Sequence, residues 1–188
     1  MIAAIIFDCF GVLTQDGWLA FLDKYASDSN IEQLRDLNRQ EDRGMIDYDD
    51  FLTTVTELTT ATKAEAHSMI TANLHPNRAV FKLINELKPK YKLGVISNVG
   101  QHLSVYLPKT LLEVFDEITL SSDVGTLKPQ PGIYENHLTA LGVEASEAIF
   151  VDDRAPNVAG AEAVGMQGLL FESVEKLRAD LQKFGVDL

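Results

Sequence analysis

Apolar and polar positions alternate in blocks along this chain. Ile2 to Phe7 is an uninterrupted apolar run, the form taken by a strand covered on both faces. Leu93 to Ile96, Ile118 to Leu120, Ile149 to Val151 and Gly168 to Phe171 repeat it. Between these runs the spacing turns helical. Val80, Leu83, Ile84 and Leu87 follow one face, as do Ile133, Leu138 and Leu141 before Gly142, a residue suited to ending a helix. Ser173 to Phe184, with Val174, Leu177, Leu181 and Phe184 on one side, reads as an amphipathic helix closing the sheet. The alternation predicts an α/β fold: a doubly wound parallel sheet between helix layers.

One stretch interrupts the alternation. From about Thr14 to His75 no strand is expected, only helical segments at Trp18 to Tyr25, Ile31 to Gln40, Asp49 to Leu58 and Thr62 to Asn73. The last opens with Thr62 and Glu65 at capping-box spacing. The expected organisation is a core of residues 1–13 and 76–188 with an all-helical cap, residues 14–75, inserted after the first strand. Such an insertion lies over the carboxyl end of that strand, where ligands of open α/β sheets bind, and acts as a lid. Trp18, Phe21, Tyr25, Tyr48 and Phe51 are expected to build its core, with one or two facing a ligand.

Composition narrows the function. The 188 residues are 46% apolar and 23% charged, with a formal net charge of −12, so the overall field repels nucleic-acid phosphates and anionic lipid, and neither partner is expected. A small anionic substrate would need local cations or a metal. The apolar start meets Asp8 too early for a membrane span and lacks the flanks of a signal peptide, which predicts a cytoplasmic protein, monomeric or homodimeric. The single cysteine, Cys9, cannot form an internal disulfide and is expected to pack. His67, His75, His102 and His137 have no paired metal spacing and are expected at structural or surface positions.

Candidate chemistry gathers at strand ends. Asp8 closes the first strand just before Gly11, either capping its own turn or presenting a reactive carboxylate. Ser97-Asn98, the Lys128-Pro129 loop, and Asp152-Asp153 with Asn157 fall at the same edge of a parallel sheet. If those loops converge, three carboxylates share one small volume and need a compensating cation. Oxygen ligands suit Mg²⁺, and Lys128 adds a second positive charge. A phosphoryl group could then contact the metal, Lys128, the Ser97 hydroxyl and backbone N–H groups, leaving Asp8 as nucleophile.

The segments FDCFGVLT, VISN, LKPQPGIY and FVDDRAPNVAGAEAVGM resemble, in order, the four motifs of the haloacid dehalogenase-like hydrolase superfamily. The insertion, with RGMIDYDDF, is similar to that family's first-type helical cap, and the chain resembles the small phosphatases of the epoxide-hydrolase amino-terminal and glucose-1-phosphate phosphatase group. The resemblance implies a Rossmann-like core and a Mg²⁺-dependent phosphatase for a small phosphorylated metabolite. In this reading Asp8 forms a phospho-aspartyl intermediate, Ser97 and Asn98 bind substrate, and Lys128 stabilises the transferring group. Asp8, the Phe10 carbonyl and Asp153 hold Mg²⁺, and Asp152 and Asn157 act through waters or supporting hydrogen bonds.

The sequence departs from that pattern at one position. The family's phosphatases usually carry a second aspartate two residues after the nucleophile as general acid/base, and here the residue is Phe10. Loss of such a group typically costs about 10²- to 10⁴-fold. Slow turnover, or substrates whose leaving groups need little protonation, is expected. A catalytically silent phosphate-binding module is one alternative. A 2-haloacid dehalogenase is another, with Arg35, Arg39 or Arg43 taking the carboxylate, although the Asp152-Asp153 pair would repel an anionic haloacid in a metal-free site. Gly100 is expected to shape a helix entry, and Arg154 to fasten the neighbouring acids.

Overall fold

The structure, a computed structural model, describes residues 1–72, 75–101 and 103–188. Five parallel strands, β1 (Ala4–Phe7), β2 (Lys92–Ser97), β3 (Glu117–Leu120), β4 (Ala148–Asp152) and β5 (Gln167–Leu170), form one sheet in the order β3-β2-β1-β4-β5. All five coincide with the apolar runs. Strand β1 is central and wholly buried, which is why its sequence shows no polar alternation. Its side chains divide between the two faces. Ile5 and Phe7 join one apolar cluster with Leu93 and Val95, and Ala4 and Ile6 join the other with Ile96 and Phe150.

Helices cover both faces. The first cluster takes in Val80, Leu83, Ile84 and Leu87 of α5 (Arg78–Leu87) and Leu177 and Leu181 of α10 (Val174–Lys183), whose start is capped by the Ser173 side chain. The second takes in Ile133, Tyr134 and Leu138 of α8 (Pro131–Leu141) and Ala161 of α9 (Ala155–Ala163). Helix α8 stops where Gly142 turns left-handed at φ 66°. The short helices α6 (Lys109–Leu112) and α7 (Ser121–Val124) flank β3. No helix among the described residues is long and apolar enough to cross a membrane.

Between β1 and α5 the chain is helical: α1 (Gly17–Tyr25), α2 (Ile31–Asp42), α3 (Tyr48–Leu58), α4 (Lys63–His67), then a π-helical turn over Ser68–Ala72. The Thr62–Glu65 capping box forms as its spacing predicts. The single helix expected over Thr62 to Asn73 instead changes winding at Ser68, and Asn73 lies outside the described residues, as does His102. Apolar side chains of the insertion, including Phe21, Leu34, Phe51 and Ile70, belong to the same buried cluster as one face of the sheet. At its root the entering and leaving segments are tied: Asn77 N–H donates to Leu13 C=O at 2.8 Å and the Thr14 hydroxyl to His75 C=O at 3.2 Å.

His137, on α8, is fully buried and shares a 2.8 Å hydrogen bond between its Nδ1 and the Thr119 hydroxyl, while Nε2 has no partner among the described residues. Burial pushes the imidazole down to about 4, so the folded protein keeps it neutral. The unfolded chain takes up that proton at about 6.5. The resulting stability is present above pH 6.5 and lost as pH falls towards 4, up to about 3 kcal/mol in all. Urea unfolding of wild type and His137→Gln at pH 7 and pH 4 measures it. The wild type should lose more stability than the variant on acidification, and equal losses would show that the ring is solvated.

Candidate active site

The carboxyl ends of β1, β2 and β4 bring three loops to one edge, and Lys128 joins them. Its ammonium donates to Asp8 Oδ1 at 2.5 Å, Asp152 Oδ2 at 2.9 Å and the Ile96 carbonyl at 2.9 Å. The side chain is 1% exposed and its three protons are all spent. Burial opposes the charge on Lys128, but Asp8 and Asp152 outweigh it and hold the amine protonated. Asn98 fixes the loop that delivers it, accepting from Lys128 N–H at 2.8 Å and donating to Lys128 C=O at 3.0 Å. Asn98 lines the cavity described below, yet both its amide atoms are committed to the lysine main chain.

Asp8 follows β1 directly and accepts the Cys9 N–H at 2.6 Å. This hydrogen bond caps the turn, and Asp8 also lines the cavity described below. Burial pushes the Asp8 carboxyl up to about 7, with Lys128 pulling against it and Asp152 and Asp153 adding to it. Cys9 is buried beside it, and burial with the Asp8 charge pushes the thiol well up, which keeps it an inert packing group.

The paired aspartates differ in environment. Asp152 is wholly buried, and its oxygens accept from Lys128, from Asn157 Nδ2 at 3.0 and 3.1 Å and from Arg154 N–H at 2.8 Å. Asp153 is exposed, and burial of its carboxyl followed by the Asp152 charge raises its pKa. Gly11, at φ 89°, lies so close to the Asp153 carboxylate that any side chain there would strike it. Oxygens of Asp8, Asp152 and Asp153 lie within 4.8 Å of one another. Among the described residues no N–H donates to the Phe10 carbonyl in this turn. A set built only of oxygen atoms, with a free carbonyl and a free carboxylate, fits Mg²⁺. Ser97 Oγ, at the end of β2, is buried without a partner among the described residues, an acceptor and donor left open for a ligand oxygen.

Above this edge lies a cavity of about 610 Å³, ample for a small ligand. Asp8, Asn98 and Lys128 line it from the sheet side, while Ser97, Asp152 and Asp153 lie outside its lining. From the insertion come Trp18, Tyr48 and Phe51, whereas Phe21 stacks behind Trp18 at 5.4 Å and Tyr25 faces elsewhere. Arg35 and Arg39 line the cavity, each paired with an acid one turn earlier, Glu32 and Asp36, and Arg43 does not line it. The exposed Arg154 lines the cavity, and its backbone N–H donates to Asp152. Phe10 packs edge-on against Tyr106, with ring centroids 4.9 Å apart.

Sequence reasoning missed four carboxyls on this lining, Asp16, Glu32, Glu41 and Asp42, of which Glu32 is paired with Arg35. Asp16 caps α1, its side chain accepting the Leu19 N–H at 3.0 Å. Glu41 and Asp42 end α2, immediately before the RGMID stretch. Their signal was present, because an acidic pair closing a helix opposes the helix dipole and so needs another reason to be there.

Comparison with known proteins bears on the family and the fold. A flavin mononucleotide hydrolase of Arabidopsis thaliana is 42% identical over 99 residues, 52% of this chain but only 40% of that relative's length. A sesquiterpene phosphatase of Aspergillus oryzae is 30% identical over 185 residues, 88% of each chain. Among solved structures, a family enzyme of Bacteroides thetaiotaomicron in complex with magnesium and inorganic phosphate superposes with a TM-score of 0.74 at 20% identity, covering 92% of this chain and 95% of that one, a likeness of fold. A family model described as haloacid dehalogenase-like hydrolase matches residues 5–171, and the chain belongs to that family.

Proposed function

We propose that the protein is a Mg²⁺-dependent phosphatase acting through an aspartyl-phosphate, on phosphomonoesters whose alcohol part has a flat or apolar body. The observation that carries this reading is the buried Lys128 ammonium shared by Asp8 and Asp152, beside a buried Ser97 hydroxyl with no partner. Two relatives named for the hydrolysis of flavin mononucleotide and as a sesquiterpene phosphatase support the substrate class, because Trp18, Tyr48 and Phe51 offer matching surfaces.

Asp8 attacks phosphorus, and the fixed hydrogen bonds to Cys9 N–H and Lys128 hold one of its oxygens so that the other points outward. Lys128 offsets negative charge on the transferring group, and Ser97 donates to a phosphoryl oxygen. Asp8, the Phe10 carbonyl and Asp153 would hold Mg²⁺, which would supply charge neutralisation at the phosphoryl oxygens. Asp152 steadies the set through Lys128 and Asn157. The insertion shields the cavity from water and selects the alcohol part.

Phosphate release from a panel of monoesters, assayed with Mg²⁺ or chelator, should require the metal and fall to background in Asp8→Asn. Chelator-resistant halide release from 2-haloacids would replace this reading with a dehalogenase, and Mg²⁺-dependent ligand binding without turnover would replace it with a silent module.

Metal affinity should follow Asp8. Because its carboxyl sits near 7 and must shed a proton to ligate, apparent Mg²⁺ affinity should rise about tenfold per pH unit below 7 and level off above it. Calorimetry in buffers of different ionisation enthalpy counts the released proton, and a pH-independent affinity would remove Asp8 from the metal set. Lys128→Met leaves two buried carboxylates without their cation, and should lose activity together with about 3–5 kcal/mol of stability in chemical denaturation.

A further inference from the structure

Position 10 is aromatic, so the carboxyl that ordinarily exchanges a proton with the leaving oxygen is missing from the sheet side of the cavity. In-line displacement by Asp8 sends the leaving oxygen away from the nucleophile, into the space covered by the insertion. The C-terminal end of α2 lines that space with Asp42, whose carboxyl accepts from Asn38 Nδ2 at 2.8 Å. This end of the helix is pinned to the core at two points. The Ser121 hydroxyl donates to the Asp42 carbonyl at 2.5 Å while accepting the Val99 N–H at 2.9 Å. The Gly100 N–H donates to the Glu41 carboxylate, and Glu41 lies so close to Gly100 that no side chain fits at that position. Gly100 therefore does more than shape a helix entry: it seats the insertion against the loop that follows Ser97.

Resting on the phosphatase reading above, we infer that Asp42 is the proton-transfer residue of this enzyme, supplied by the insertion in place of the carboxyl absent at position 10. As the Asp8 oxygen bonds to phosphorus, the bond from phosphorus to the leaving oxygen breaks, and that oxygen takes its electron pair and the Asp42 proton to depart as an alcohol. Water then attacks phosphorus and gives its proton to the Asp42 carboxylate. The bond from phosphorus to Asp8 breaks, and phosphate leaves with both carboxyl groups restored.

The surroundings of Asp42 suit the first step. Burial raises its pKa well above the ordinary range, and the charges of Glu41 and Asp16 add to this. Lys128 and Arg154 act in the opposite sense. Glu41 is itself pushed up to about 7 by burial, and Tyr48 and Tyr106 face it from the insertion and the core. A protonated carboxyl is thus available near neutral pH on the side of the cavity where the leaving oxygen emerges.

The test compares kcat/KM for leaving groups of increasing basicity, from p-nitrophenyl phosphate to alkyl phosphates, in wild type, Asp42→Asn and Asp8→Asn. Asp42→Asn should lose about 10²- to 10⁴-fold in kcat/KM on alkyl phosphates but only about threefold in kcat/KM on p-nitrophenyl phosphate, since nitrophenolate departs without a proton, while kcat for p-nitrophenyl phosphate falls because the water of the second step has lost its base. In the wild type itself, kcat/KM for alkyl phosphates should fall with rising pH as Asp42 ionises, while that for p-nitrophenyl phosphate should not. Equal losses across the series, or parallel pH profiles in the wild type, overturn the assignment of Asp42. Phosphate release that survives in Asp8→Asn instead overturns the phosphatase reading on which it rests.

Discussion

The charge balance around Lys128 governs the rest of the structure. One ammonium, cut off from water, lies against two carboxylates and a carbonyl drawn from three strands. A cation so placed is tolerable only because every proton finds an acceptor, and Asp8 and Asp152 are tolerable beside each other only because the cation is there. The parallel sheet makes this meeting possible, since it delivers the ends of β2 and β4 to the same edge on either side of β1. The proposed divalent ion would offset the excess negative charge. In a chain of net charge −12, this local neutralisation would let the proposed phosphorylated substrate approach.

The aspartate pair shows how position along a strand end divides labour between identical side chains. Asp152, the last residue of β4, turns inward and gives its oxygens to Lys128, Asn157 and the start of α9. Asp153, one residue later, faces outward beside Gly11. The inner carboxylate fixes the cation and the outer one remains free. Asn98 follows the same logic: its place beside Ser97 suggests ligand contact, but its hydrogen bonds fasten the loop bearing Lys128.

Much of this was legible in the sequence because the deciding signals are local. Buried parallel strands produce unbroken apolar runs, and a helix end needs Gly142 or the Thr62–Glu65 pair wherever the chain goes next. The residues at strand ends could be gathered without coordinates, since parallel topology leaves them only one edge. The insertion was less readable in its details. Trp18, Tyr48 and Phe51 share the spacing of Phe21 and Tyr25, and only packing decides which rings face the cavity. The change of winding at Ser68 leaves no mark in the apolar pattern. Glu41 and Asp42 oppose the dipole of their helix, which marks them as unusual, but nothing in the sequence says that Gly100 and Ser121, dozens of residues away, close over them.

The root of the insertion has a consequence for how this chain tolerates change in length. Leu13 and Thr14 leave the sheet at the point where His75 and Asn77 return, and the two passages are bonded to each other. The insertion has a narrow covalent root, and its other ties to the core are the end of α2, held by Ser121 and Gly100, and its apolar side chains. Residues can be added or removed in turns away from the pinned end of α2 while β1 and α5 keep their spacing, so the wall over the cavity can change length without moving the strand ends beneath it.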